Sequence, residues 1–323
     1  MEIWLAFIIF VLAVVLIVKS AGWFVEGASA IARLLGVSEV MIGLTIVSFA
    51  TTAPEFVTSV SASYRGDPGL AVGNAVGSCL CNIGLILAVV GIVQVTKIEK
   101  KTLHNWAIPM LIFVGITFAF SLNGEISRID GGLILALFLL FYIFLVVRLL
   151  RHPSNKEKLA NLREKREKLK QKALQFLVGA AGVVVGSQLL VRSGEAMAKN
   201  LGVPEIIIGI TLLAMGTSLP ELVTAIVSIR KHMGKLSIGN IIGANFLNLA
   251  WVISTAALVN PLTIDPETLT FTFPLLLLLT AVLLGCLYWK YELNRWKGAI
   301  LLGIYLAYLI GLLGIYGIIG AIF

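Results

Sequence analysis

Ten apolar stretches, near residues 3–33, 38–63, 69–95, 104–122, 128–150, 173–199, 205–229, 236–259, 268–289 and 295–322, constrain this chain more than any other feature. About twenty apolar residues in a helix cross the ~30 Å hydrocarbon layer of a bilayer. Inside that layer every backbone N–H and C=O must be satisfied within the protein, so segments of this length are read as helices. The sequence therefore predicts an all-α integral membrane protein of about ten transmembrane helices, with the lipid bilayer as its first partner. Composition agrees, since 59% of the 323 residues are hydrophobic and 13% charged, far too apolar for one soluble core. The first apolar run, Ile3 to Val18, continues into further membrane-compatible sequence and shows no small-residue cleavage site, so it reads as a span and not as a leader. Cys79, Cys81 and Cys286 all lie in apolar stretches and the three histidines are scattered. Neither a disulfide framework nor a zinc site is expected, and no cofactor is implied.

A net charge of +8 could point to nucleic acid, but its placement points to topology. If the hydrophilic segment 151–172 is cytoplasmic, 21 of the 25 Lys and Arg residues fall on its side of the membrane. The other four, Arg65, Arg128, Arg192 and Lys199, fall on the opposite side. This is the positive-inside asymmetry. It predicts ten spans in the cell membrane, a cytoplasmic central loop and both termini outside, with no nucleic-acid partner. The central segment is rich in helix formers and reads as a solvated helical extension.

A shift of 166 residues superposes two halves of the chain without a gap. Leu35-Gly36-Val37 falls on Leu201-Gly202-Val203, Pro54-Glu55 on Pro220-Glu221, Gly73-Asn74 on Gly239-Asn240, and Asn82 on Asn248. The chain thus reads as a duplication, with five-helix repeats over 1–150 and 173–323 flanking the basic loop 151–172. Five is odd, so the second repeat is expected to enter the membrane inverted. Inverted repeats are the architecture of many secondary transporters, which bind their substrates at the midplane between the repeats.

Among the acidic residues, only Glu55 and Glu221 fall near the middle of predicted spans, where a charge is expensive and marks a pathway, relay or counter-ion. A single such carboxylate can be structural; a repeat-related pair argues for a site. In Ala50-Thr51-Thr52-Ala53-Pro54-Glu55 and Gly216-Thr217-Ser218-Leu219-Pro220-Glu221, hydroxyls stand three and four residues before the carboxylate, on one helical face. Each proline removes an amide donor and crowds the carbonyl four residues back. In the next span of each half, Asn74, Ser78 and Asn82, and then Asn240, Ala244 and Asn248, recur at four-residue spacing. Asn82 and Asn248 are assigned to the site, whereas for Asn74 and Asn240 interhelical bonding and ligation stand as equals. Cys79 and Cys81 are expected to point away from it. Carboxylate, hydroxyl, amide and backbone oxygens suit hard inorganic cations such as Ca2+, Na+ or Mg2+.

These two segments resemble the repeats of the sodium/calcium exchanger branch of the cation/Ca2+ exchanger superfamily. The resemblance implies a compact antiporter in which Glu55 and Glu221, helped by Thr51 and Thr217, hold Ca2+. It further implies that Thr52, Ser78 and Ser218, with the backbone carbonyls of Ser48 and Ala214, serve Na+, while Asn82 and Asn248 stand at the shared cation site. Two departures bear on the driving ion. Where the family has Gly-Ser-Asn-x-x-Asp, this chain reads Gly243-Ala244-Asn245-Phe246-Leu247-Asn248, without a hydroxyl at 244 or an ionisable group at 248. The expected activity is Ca2+ extrusion in exchange for Na+ by alternating access, not enzymatic catalysis. H+/Ca2+ or other divalent-cation exchange is the close rival, since burial favours protonated carboxylates. A cation channel would need a continuous pore, and an intramembrane hydrolase would need a nucleophile and base that this sequence does not place.

Overall fold

A computed structural model describes residues 2–150, 162–200 and 216–315. Its elements are helical apart from four two-residue strands. In chain order they are α1 (Ile3–Leu35), α2 (Glu39–Thr51), α3 (Ala53–Tyr64), α4 (Pro68–Val93), β1 (Thr96–Lys97), α5 (Lys100–Ser121), β2 (Glu125–Ile126) and α6 (Arg128–Leu150). They continue with α7 (Leu162–Asn200), α8 (Leu219–Arg230), α9 (Gly234–Val259), β3 (Leu262–Thr263), α10 (Thr268–Tyr288), β4 (Glu292–Leu293) and α11 (Arg295–Ile315).

Among the described residues, seven helices are long and apolar enough to cross a membrane, and the pair α2–α3, broken at Thr52, makes an eighth. Of the two remaining predicted spans, 128–150 is the 23-residue helix α6. The other, 205–229, falls partly outside the described residues. Of the central segment, Leu162 to Lys172 forms the opening turns of α7 and runs unbroken into the following span.

The elements recur at the spacing of the sequence repeat. Adding 166 to the bounds of α3, α4 and β1 gives those of α8, α9 and β3. α4 and α9 also share a local distortion: each is interrupted by a π-helical turn, over Asn82–Leu87 and Asn248–Val252. Both turns open on an asparagine assigned to the site. π-bulges of this kind loosen the regular backbone ladder and are frequent at functional positions.

The described residues form two units, and neither is a sequence half. One combines Met1–Pro54 with Ile143–Gly243; the other combines Glu55–Tyr142 with Ala244–Phe323. In the first unit α1 and α7 lie along one another. Phe24 stacks on Phe176 at 4.7 Å, and a side chain at Gly179 would run into the Phe24 backbone at 2.4 Å. Val25, Ala28, Ala32, Val47 and Leu236 complete this core. The outer face of α1, with Trp4, Phe7, Ile8 and Leu12 exposed, is what a lipid-facing helix requires.

In the second unit Phe113, Phe138 and Phe141 surround Phe246 at centroid distances of 4.7, 5.5 and 5.2 Å. Two short antiparallel ladders tie its connections together, β1 with β4 and β2 with β3. At the first, Lys297 is buried and its ammonium donates to the carbonyls of Trp289 and, at 2.7 Å, Glu292. Those bonds close the end of α10 through a turn in which Lys290 and Tyr291 both have positive φ.

Candidate functional site

In the first unit, α2 crosses the opening turns of α9 at backbone contact. A Cβ on Gly43 would meet the Leu236 carbonyl at 2.4 Å, and one on Gly239 would meet the Val40 carbonyl at 2.3 Å. Glycine at both positions is therefore a requirement of the packing. The approach delivers Thr51 to Asn240, whose Oδ1 accepts from the Thr51 hydroxyl at 3.1 Å.

The chain then breaks at Thr52, with φ −79° and ψ −4°, and Ser218 repeats that conformation at −83° and 3°. These values lie in the sparsely used bridge region, where active-site residues are often found. Sequence reasoning put the hydroxyls and the carboxylate on one helical face. The structure corrects this: Thr51 ends α2 and Glu55 starts α3, so they belong to different helices. Proline explains the restart, because its missing N–H is harmless in the first turn. Glu55 and Glu221 consequently stand in the first turns of α3 and α8, where exposed N–H groups and the helix dipole favour an anion.

Glu221 is fully buried. The Thr51 hydroxyl lies near its carboxylate, yet neither oxygen accepts a close hydrogen bond from the described residues. The hydroxyls of Thr52 and Ser218 are also buried and without a hydrogen-bond partner among the described residues, and Ser218 does not cap the helix that it precedes. The Ser48 carbonyl accepts from the Thr52 N–H at 2.8 Å and from the Thr51 hydroxyl at 3.4 Å, while the Ser48 hydroxyl donates to the Thr45 carbonyl at 2.9 Å. Thr217 is half-buried beside Gly216, and Ala214 lies outside the described residues.

In the second unit Glu55 is equally buried. Its backbone is anchored by Asn74, whose Nδ2 donates to the Glu55 carbonyl at 3.2 Å and to Ser59 Oγ at 2.9 Å; Ser59 in turn donates to the Ala71 carbonyl at 3.0 Å. Asn74 is thus at least a tie between the α3 and α4 backbones. Ser78, Asn82 and Asn248 are all fully buried. Asn82 Nδ2 donates to Asn245 Oδ1 at 2.9 Å, leaving Asn82 Oδ1 and both polar atoms of Asn248 without a hydrogen-bond partner among the described residues.

Asn245 is the residue that sequence reasoning missed. It orients Asn82, donates to the Cys79 carbonyl at 3.2 Å and accepts from the Cys79 thiol at 3.7 Å through its own carbonyl. Its repeat counterpart is Cys79 itself, so comparing the halves did not flag it; an asparagine inside an apolar span was the available signal. Cys79, expected to point away, lies beside Asn248 and Glu55.

The chemistry of these groups is that of oxygen donors. No cluster of three or more His, Cys, Asp or Glu side chains able to hold a metal occurs among the described residues. The buried carboxylate of Glu221, the hydroxyls of Thr52 and Ser218 and the amides of Asn82 and Asn248 have bonding capacity unspent among the described residues, and such oxygens can replace the water shell of a hard cation.

Comparison with known proteins agrees. The family described as "Sodium/calcium exchanger protein" matches the chain twice, over residues 5–147 and 172–314. The Sodium/calcium exchanger MaX1 of Methanosarcina acetivorans is 31% identical over 94% of this chain and 97% of its own length. The Putative antiporter CaxA of Alkalimonas amylolytica is 34% identical over 93% of this chain and 96% of its own. A solved structure of the sodium-calcium exchanger NCX_Mj, soaked with 10 mM Na+ and zero Ca2+, superposes with a TM-score of 0.86 at 29% identity, covering 96% of this chain and 99% of that one. The chain is a multi-pass membrane protein and belongs to the sodium/calcium exchanger family.

Proposed function

We propose that the protein is a secondary antiporter that extrudes Ca2+ in exchange for Na+, with Glu55 and Glu221 carrying the Ca2+. The observation that carries this reading is the recurrence of one arrangement: a fully buried glutamate directly after a proline in the first turn of a helix, once in each repeat. Relatives named as sodium/calcium exchangers along nearly their whole length support it. Thr51 and Thr217 assist at Ca2+, and Thr52, Ser78, Ser218, Asn82, Asn248 and the carbonyls of Ser48 and Ala214 serve Na+ or a shared cation.

Alternating access follows from ten spans in two inverted repeats, which the strand pairing supports. The repeat relates β1 to β3 and β2 to β4, yet the ladders are β1–β4 and β2–β3, so exchanging the halves maps one ladder onto the other. α5, 22 residues and about 33 Å long at 1.5 Å per residue, separates β1 from β2. The equivalent strands β1 and β3 thus lie at opposite ends of a span, as inversion requires. The contact of Cys79 with its own counterpart Asn245 supports a two-fold axis passing between them. The central loop faces the cytoplasm and both termini lie outside.

The test is Ca2+ uptake by proteoliposomes loaded with Na+ or held at a pH step. A Na+ gradient is expected to drive uptake, and Glu55→Gln or Glu221→Gln to reduce it to the protein-free background. Uptake driven only by the pH step would replace Na+ with H+ as the coupling ion. Uptake driven by neither would overturn exchange altogether.

A further inference from the structure

Both π-turns open on an asparagine assigned to the cation site, but they are held in different ways. In the second unit α9 turns over Asn248–Val252, and the Ile253 N–H is spent on the Asn248 carbonyl. In a regular α-helix that N–H would serve the Leu249 carbonyl, four residues back. The turn therefore releases the carbonyl of Leu249, a fully buried residue. A buried carbonyl left without a donor is costly.

Thr117 meets this need from another helix. It is fully buried on α5, and its hydroxyl reaches the Leu249 carbonyl at 3.5 Å, the long end of the hydrogen-bonding range. A threonine inside a helix ordinarily bonds back to the carbonyl one turn earlier, here Phe113; Thr117 reaches across to α9. Ser254 adds its hydroxyl to the next two carbonyls, those of Ala250 and, at 3.1 Å, Trp251. Back-bonding of the Ser254 kind is common in helices and would mean little alone. A hydroxyl that crosses from α5 to the carbonyl released by the turn is specific.

The first-half π-turn, Asn82–Leu87 of α4, has neither hydroxyl. Ala88 stands where α9 has Ser254, and the stretch of α10 that answers to Thr117 reads Val282-Leu283. Tyr305 packs there instead, its Cβ only 2.4 Å from where a Cβ on Gly84 would lie. Support by a hydroxyl from a neighbouring helix thus belongs to the α9 turn and not to both.

The α9 turn also joins two parts of the site. At its start Asn248 is fully buried, both polar atoms of its amide are without a hydrogen-bond partner among the described residues, and it lies beside Cys79, which lies beside Glu55. Near its end Trp251 stacks on Phe56, the residue after Glu55, with ring centroids 4.2 Å and planes 12° apart. The turn thereby sets the Asn248 amide against the helix that carries Glu55. Closing it to a regular α-helix would take one residue out of the ladder and turn Asn248 by about 100° relative to the segment beyond Val252, at 3.6 residues per turn.

We infer that Thr117 is a positioning residue of the cation site: by holding the Leu249 carbonyl it keeps the α9 π-turn open, and the open turn aims the Asn248 amide at the cation that Glu55 carries. Thr117 itself touches no cation. Its effect passes through the backbone of the turn to Asn248, while the stacking of Trp251 on Phe56 fixes the other end of the same turn.

The inference rests on the proposed role of Glu55 as a Ca2+ carrier, and the test separates the two. Ca2+ is titrated calorimetrically into the purified full chain, which reads affinity and number of sites independently. Thr117→Val keeps the shape of the side chain and removes the donor. It is expected to weaken Ca2+ binding about 10-fold, the worth of roughly one hydrogen bond, with the number of sites unchanged. Thr117→Ser, which keeps the hydroxyl, is expected to bind like the parent chain. In a chain carrying Asn248→Ala, itself weakened, Thr117→Val is expected to add less than about 2-fold, because the residue that it positions is gone. Fewer sites at unchanged affinity in Thr117→Val would mark a merely structural residue and overturn the inference, as would a full further loss in the Asn248→Ala chain. Unchanged affinity in Thr117→Val beside a loss in Glu55→Gln overturns the inference alone. Unchanged affinity in Glu55→Gln overturns the site reading and the inference with it. Should Thr117→Val not fold, Thr117→Ala takes its place with the same outcomes.

Discussion

The full burial of Glu55 and Glu221 was legible in the sequence, because a carboxylate inside an apolar window is expected to face the protein interior and not lipid. What fixes their surroundings was not legible. Asn245 holds Asn82 and the Cys79 backbone, but its counterpart is a cysteine, so the repeat concealed it. Removing its side chain in Asn245→Ala strands the buried Asn82 Nδ2, at about 1–3 kcal/mol by the usual penalty, and takes from the Cys79 carbonyl one of its two donors, the Asn82 N–H remaining. The expected outcome is a clear fall in thermal unfolding temperature in detergent, together with weaker Ca2+ binding because Asn82 loses its orientation. Asn74→Ala should lower stability in the same range by freeing the Glu55 carbonyl and Ser59. Thermal scans of both variants against Gln94→Ala, whose amide lies outside these networks, check that the losses are specific.

At the level of elements, apolar windows located most of the described helices to within a few residues, because hydrocarbon thickness leaves little latitude in length; α7, which begins at Leu162 in the hydrophilic segment, is the exception. They could not locate the break at Thr52 or the π-turns at Asn82 and Asn248, which depend on how side-chain oxygens compete for backbone groups and not on hydropathy. Nor could they show that α2 and α9 meet backbone to backbone. Gly43→Ala puts a methyl where the Leu236 carbonyl stands, and overpacking of this kind costs about 1–3 kcal/mol. The variant is expected to unfold at lower temperature and to lose transport more steeply than stability, since Thr51 is carried on the displaced helix; parallel melting and uptake measurements separate the two effects. Lys297→Met should loosen the turn after α10 while leaving the glutamates untouched. Its expected signature is faster proteolysis near Lys290 with uptake retained.

For the whole molecule, the distribution of basic residues predicts sidedness and the repeat predicts inversion, but neither says which helices form a unit. The two units mix the sequence halves, with the boundary falling immediately before Glu55 and just after Gly243. A sequence repeat records ancestry and chain order, whereas units are drawn by packing, so the halves need not coincide with the units. Sidedness has a direct check: in a chain lacking its native cysteines, Arg65→Cys should react with an impermeant thiol reagent added outside cells, and His232→Cys only after the membrane is opened. The exchanged ladders carry a consequence of another kind. Each half holds one strand of each ladder, so no ladder can close within a half. A half-length polypeptide would nevertheless hold both kinds of strand, and two copies packed antiparallel could close both ladders between them. Residues 1–150 and 162–323 made as separate chains should still find each other in the membrane, and neither should persist alone.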